Sequence, residues 1–121
     1  MMNFSFGSMT FFSIHRTFNN LYRGTLESSI SFIDKNGNQC EPYFKQKELE
    51  KNVEEYFSYT LPRFVNEYYV SYFYFDAETM AYCTSDFCHN VKISLKTHIN
   101  SLFDYELAHI YSISKGKLYV E

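Results

Sequence analysis

The sequence has no tryptophan, 4 glycines, 2 prolines and 3 cysteines, and each shortage excludes something. Scarce Gly and Pro, with no low-complexity stretch and no internal repeat, exclude a linker or an intrinsically disordered segment. Without an unbroken run of about 18 apolar residues, the chain as given has no membrane-spanning helix. A basic surplus is also lacking. Lys and Arg total 11 against 14 Asp and Glu, for a formal net charge of -3 and a pI near 5.8. No broad positive field is available to hold phosphates, so nucleic acid is not expected as a partner. An odd number of cysteines argues against a complete disulfide framework. The G-x-S-x-G, H-E-x-x-H and Gly-rich phosphate-loop patterns are all missing. The chain is therefore expected to be no enzyme, with no catalytic, cofactor or metal residue.

What the chain has in quantity is rings: 13 Phe and 12 Tyr make 21% of its residues aromatic. A length of 121 residues suits one domain, 1–121, whose core is built largely of those rings. Buried tyrosine hydroxyls need a partner or a route to water, so so many of them imply a thin domain with half-exposed rings.

Periodicity orders the chain. From Ser8 to Ile33 the residues Phe11, Ile14, Phe18, Leu21, Tyr22, Leu26, Ile30 and Ile33 recur at three- and four-residue steps. The spacing predicts one long first helix, bent near Gly24 and the Ser28-Ser29 pair. Asp34-Lys35-Asn36-Gly37-Asn38 ends it, since Asn and Gly accept a left-handed backbone. A second, amphipathic helix is predicted from Phe44 to Leu61, closed by Pro62. From Glu67 the period changes to two. Tyr68 to Phe75 suits a strand, Met80 to Thr84 a second, and Val91 to Asn100 a third with one dry and one wet face. Tyr105 to Ile113 suits a fourth, with a last short piece at Leu118 to Val120; Ser101 to Ala108 fits a helical turn equally well. The fold class expected is α+β, with the long helix and the second helix packed on one face of an antiparallel sheet of about four strands.

Few residues suggest chemistry. Cys83 and Cys88 flank Thr84-Ser85-Asp86-Phe87 at a strand junction, where a bridge would clip a hairpin tip; two reduced thiols are the alternative. Cys83-x4-Cys88-His89 has neither the spacing of a haem attachment site nor the paired ligands of a zinc site, even with His98 added. In the Asp34 to Asn38 segment the Gly comes too early for a calcium loop and the closing Glu is missing. The four histidines, His15, His89, His98 and His109, fall on scattered elements, with His98 on a wet strand face. Cys40 reads as a small apolar residue of a connector. Glu48, Glu50, Glu54 and Glu55 alternate with Lys45, Lys47 and Lys51, as on a solvated helix face.

The opening Met1 to Phe12 is apolar, with Phe4, Phe6, Met9, Phe11 and Phe12. It has no basic n-region and no small-residue cleavage site. Two readings stand: the cut end of a longer apolar helix, or a natural start that packs on the core. Taken with Phe12-Ser13-Ile14-His15-Arg16-Thr17-Phe18-Asn19-Asn20-Leu21-Tyr22 running on as helix, then Asp34-x-Asn36-Gly37, then a terminal sheet, it resembles the pilin-like proteins of bacterial surface assemblies, including TadE-like pseudopilins. The resemblance lies in the order of elements, and the spanning half and processing site of that group are missing. It implies a structural subunit without cofactors, at the cell surface or outside the cytoplasm, with Cys83 and Cys88 bridged and a membrane anchor only if an apolar N-terminal segment was trimmed. The partners expected are other proteins or further copies of the chain, through Phe11, Phe12 and Phe18 of the helix and Tyr68, Tyr72 and Tyr74 of the sheet. The competing expectation is a cytoplasmic binding module in which those three tyrosines line a pocket for a small apolar ligand, or bind a protein.

Overall fold

The computed structural model describes residues 12–22, 24–61, 65, 67–99 and 103–121. Among these residues, two α-helices and two antiparallel sheets make up an α+β fold. The first helix, α1, covers 12–19 and runs into a 3-10 turn, Asn20–Tyr22. The expected continuation to Ile33 is not there. Gly24 adopts φ +88°, a left-handed conformation that breaks the helix. A 3-10 turn follows at Glu27–Ser29, and Ile30–Ile33 is a strand, β1.

β1 pairs with β2, Gln39–Phe44, in register Ile30↔Phe44 and Ser31↔Tyr43. The segment read as a helix end is thus the turn of a hairpin. Asp34 Oδ1 accepts the amides of Asn36 and Asn38 at 2.9 and 3.0 Å, and Gly37 supplies φ +83°. This accounts for every role of the Asp-Asn-Gly run. The second helix, α2, spans Gln46–Thr60 and buries Leu49, Val53 and Phe57 at four-residue spacing.

The larger sheet is a meander in the order β3-β4-β5-β6, formed by Tyr68–Tyr74, Asn90–Ile99, Phe103–Ser114 and Lys117–Val120. The region read as either strand or helical turn belongs to β5 from Phe103 on. β5 turns into β6 through Lys115 and Gly116, both at positive φ (52° and 77°), as a two-residue hairpin requires. Met80 to Thr84 is not a strand; only a single bridge, Phe75↔Tyr82, joins this segment to the sheet end. Its ladder is cut off because Met80 sits at φ +59° inside the tight loop closed by Met80 N–H to Asp76 O, 2.7 Å.

β4 shows the alternation read from its sequence: Val91, Ile93, Leu95 and Thr97 are buried while Lys92 and Lys96 are exposed. Register carries that inner face to Tyr68, Val70, Tyr72 and Tyr74 on β3 and to Tyr105, Leu107, His109 and Tyr111 on β5. Ile14 and Phe18 of α1 and Leu49, Val53 and Phe57 of α2 join it in one core. Phe18 meets Phe57 at 5.7 Å between ring centroids and His109 at 4.7 Å. The helices cover one face of the meander, and no helix or strand among the described residues covers its other face.

Candidate functional site

In β3, Tyr68-Tyr69-Val70-Ser71-Tyr72-Phe73-Tyr74 places aromatic side chains on both sides of the sheet, because alternate residues point to opposite faces. The even-numbered rings turn inward. Tyr68 packs edge-on to Phe57 at 6.5 Å. The Tyr74 hydroxyl donates to Glu50 Oε2 at 3.0 Å, and that of Tyr72 donates to the Glu50 carbonyl at 3.4 Å. Burial pushes the pKa of both phenols well above its ordinary value. The Glu50 carboxylate adds to the rise at Tyr74, and Glu54 with Glu50 at Tyr72. Burial alone raises Tyr111. Tyr72 and Tyr74 are structural ties between α2 and the sheet.

The odd-numbered rings form the open face. Tyr69 is 64% exposed and Phe73 39%. Phe73 stacks on the buried Phe75 at 5.8 Å, with rings 15° apart, and meets Tyr82 at 6.0 Å. Directly opposite on β4, Lys96 faces Tyr69 and Lys92 faces Phe73. The face therefore carries an aromatic strip flanked by two ammonium groups. The 76–88 loop folds back over the end of β3 to complete it. Asp76 N–H donates to Ala81 O and Cys83 N–H to Tyr74 O, at 2.9 and 2.8 Å. Cys83 and Cys88 are bridged, with an S–S distance of 2.10 Å, and Gln46 Nε2 donates to Ser85 O at 3.3 Å. Of the two states left open by the sequence, the fold has the bridge, in a loop rather than at a hairpin tip.

The other candidate surface residues are distributed differently. Phe12 is exposed and Phe18 buried in the core, while Phe11 lies outside the described residues. Tyr68 and Tyr72 are half-buried and Tyr74 buried, all on the helix-covered face. The three β3 rings named from the sequence are the inward set of that strand, and Tyr69 and Phe73 are the outward set. The parity of β4, whose Val-Ile-Leu face must be the inner one, was the available signal, but it transfers to β3 only once the register is known.

The polar candidates stay apart. His15 is hydrogen-bonded to the Tyr105 hydroxyl. His89 Nδ1–H donates to Pro42 O at 2.7 Å. His109 Nδ1–H donates to Glu121 O at 3.4 Å, and its Nε2 is buried with no partner among the described residues. The side chain of His98 lies outside the described residues. Burial, with Asp34 and Glu41 nearby, pushes the Cys40 thiol up, away from the thiolate a nucleophile needs. Among the described residues no group of three or more His, Cys, Asp and Glu is placed to hold a metal ion. No helix among them is long and apolar enough to cross a membrane. Surface depressions lined by described residues run along α2, between Lys47, Glu50, Lys51 and Glu54, and beside Gly116 and Leu118; neither is lined by Tyr68, Tyr72 or Tyr74. In comparisons with family models, with curated proteins and with solved structures, the chain matches none.

Proposed function

We propose that this chain is a non-enzymatic structural subunit that binds other protein chains through its four-stranded sheet, outside the reducing cytosol. The observation that carries the reading is the outward aromatic face: Tyr69 and Tyr82 are 64% and 58% exposed, with Phe73 stacked on Phe75 and in tilted contact with Tyr82. Rigid rings with few rotors make binding surface at low entropic cost, and contiguous exposed apolar patches mark interaction sites. The Cys83–Cys88 bridge supports the compartment, since such bonds persist where glutathione does not reduce them. A pilin-like assembly subunit is the narrower form of this proposal. The order of helix before antiparallel sheet supports it, whereas the β1–β2 hairpin stands where a long helical spine would continue. A small-ligand module needs space between Tyr68, Tyr72 and Tyr74, and two of those rings are tied by their hydroxyls to α2, so protein binding is the better supported.

The test is site-specific photo-cross-linking in the cells of origin. A photoreactive residue replacing Tyr69 is expected to give a defined protein adduct that disappears with Phe73→Ser, while one replacing Tyr59, 81% exposed on α2, gives none. Identical adducts from both positions, or none from either, would overturn the reading. Mass measurement after alkylation checks the compartment: Cys40 alone is expected to be labelled in chain isolated from the cells.

A further inference from the structure

We propose that the free edge of β3 is a self-association site, at which a second copy of the chain adds its own β3 antiparallel and joins the two meanders into one continuous sheet. This rests on the reading of the chain as an interaction subunit and names the occupant of one of its surfaces. Phe75 N–H donates to Asn90 O, so the odd-numbered residues of β3 turn their backbone groups toward β4. The even-numbered ones turn theirs outward. The Tyr74 carbonyl is taken by Cys83 N–H, which leaves Tyr68, Val70 and Tyr72 with outward N–H and C=O groups that have no partner strand among the described residues.

Burial shows the same gap. Val91, Ile93 and Leu95 on β4 are at most 1% exposed, yet Val70 and Tyr72, opposite Leu95 and Ile93 on the same face, are only half-buried. The strand itself carries none of the sequence devices that blunt an edge: Tyr68–Tyr74 contains no charge, no proline and no register shift. The opposite edge, β6, is short, begins at Lys117 and is followed by Glu121.

A second copy fits this edge better than an arbitrary strand. The free run is centred on Val70, so a two-fold axis there pairs Val70 with its mate and Tyr68 with Tyr72 of the other copy, each pair exchanging both hydrogen bonds. The molecule is acidic, but the strand itself brings no like charges together. The exposed Glu67 then lies opposite Phe73 of the second copy, whose neighbour across β4 is the exposed Lys92. On the outer face Glu67 and the second copy's Lys92 thus flank Phe73 from its two sides, two strand spacings or about 10 Å apart, opposite charges on one side of the sheet, twice by symmetry.

Sedimentation velocity over a concentration series tests this, with amide exchange as the site-specific readout. The wild-type chain is expected to dimerise, with Tyr68, Val70 and Tyr72 amides slowing as concentration rises. Ser71→Lys, at an exposed position, sets two lysines diagonally across the axis and should weaken the dimer by about tenfold or more. Val70→Pro removes the axial N–H, a change that edge strands tolerate, and should leave a folded monomer by circular dichroism. A wild-type chain monomeric throughout, or a dimer indifferent to both variants, would overturn the proposal. Should the chain be monomeric while its Tyr69 cross-link still marks a partner, edge pairing alone fails; should both be absent, the interaction reading fails with it.

Discussion

Raising the pH from about 9 to about 11 should destabilise this protein through its buried tyrosines. Tyr74 and Tyr111 are 4% and 1% exposed, and burial holds both phenols protonated well past their ordinary pKa, helped at Tyr74 by Glu50. In the unfolded chain the same groups ionise near pH 10. Above that pH the unfolded state binds fewer protons than the folded state, so stability falls as pH rises. The stabilisation is whole below the unfolded pKa and is lost on the way up to the folded one. One unit above the unfolded value each group contributes about 1.4 kcal/mol to the loss, so the two together remove about 3 kcal/mol near pH 11. Against a total of about 5–15 kcal/mol, this should lower the melting temperature by roughly 10 °C. Melts would be followed by circular dichroism and by tyrosinate absorbance, in a Cys40→Ser background that prevents thiol exchange with the Cys83–Cys88 bridge. The buried phenols are expected to ionise together with unfolding, and Tyr74→Phe with Tyr111→Phe should flatten the slope. If every tyrosine titrates near its ordinary pKa while the far-ultraviolet spectrum stays native, the reasoning is refuted.

Other expectations concern stability at neutral pH. Phe57→Ala empties the contact between α1, α2 and β3 and should cost about 3–5 kcal/mol in urea titration. Replacing Cys83 and Cys88 by Ser opens a loop with a sequence separation of 5 and should cost about 2 kcal/mol by loop-closure entropy; a cost near zero would mean that the Asp76 and Cys83 backbone bonds hold the loop alone. Gly37→Ala meets no atom within 4 Å but is forced to φ +83°, so about 1 kcal/mol of backbone strain should appear without any packing change. Chemical denaturation of the purified variant measures it.

The sheet half of the fold was legible because β4 is unambiguous: Val91, Ile93 and Leu95 alternate with Lys92, Ser94 and Lys96, and a period of two has one interpretation when one set is apolar and the other charged. The helix half was legible only where spacing and backbone chemistry agreed, as along Leu49, Val53 and Phe57. Leu26, Ile30 and Ile33 satisfy helical spacing as well, but Gly24 breaks the helix, and β-branched Ile30 and Ile33 suit the strand on which Asn36-Gly37 can close a hairpin. The spacing could not reveal that pairing, because Phe44, the partner of Ile30, read as the start of the second helix, and Tyr43, the partner of Ser31, fell in the connector before it. The surface failed for another reason. In β3 both parities are aromatic, so periodicity identifies a strand without saying which rings face the core; the inner set is fixed only by Tyr72 lying opposite Ile93.

That double parity also connects anchoring with recognition. Tyr72 and Tyr74 hold the strand to α2 through Glu50, so β3 can stay ordered at a sheet edge where no further strand among the described residues supports it. An edge strand held only by its ladder to β4 would fray and lose a defined outer face. Held from the inside, it presents Tyr69 and Phe73 in fixed positions and keeps the outward amides of Val70 and Tyr72 in strand geometry. The bridged loop sets the limit: by donating Cys83 N–H to Tyr74 O, it ends the free edge and confines any added strand to the Tyr68 to Tyr72 stretch. Weakening the anchor should therefore weaken association at a distance. Tyr74→Phe is expected to loosen dimerisation in the same sedimentation series although Tyr74 makes no contact across the axis.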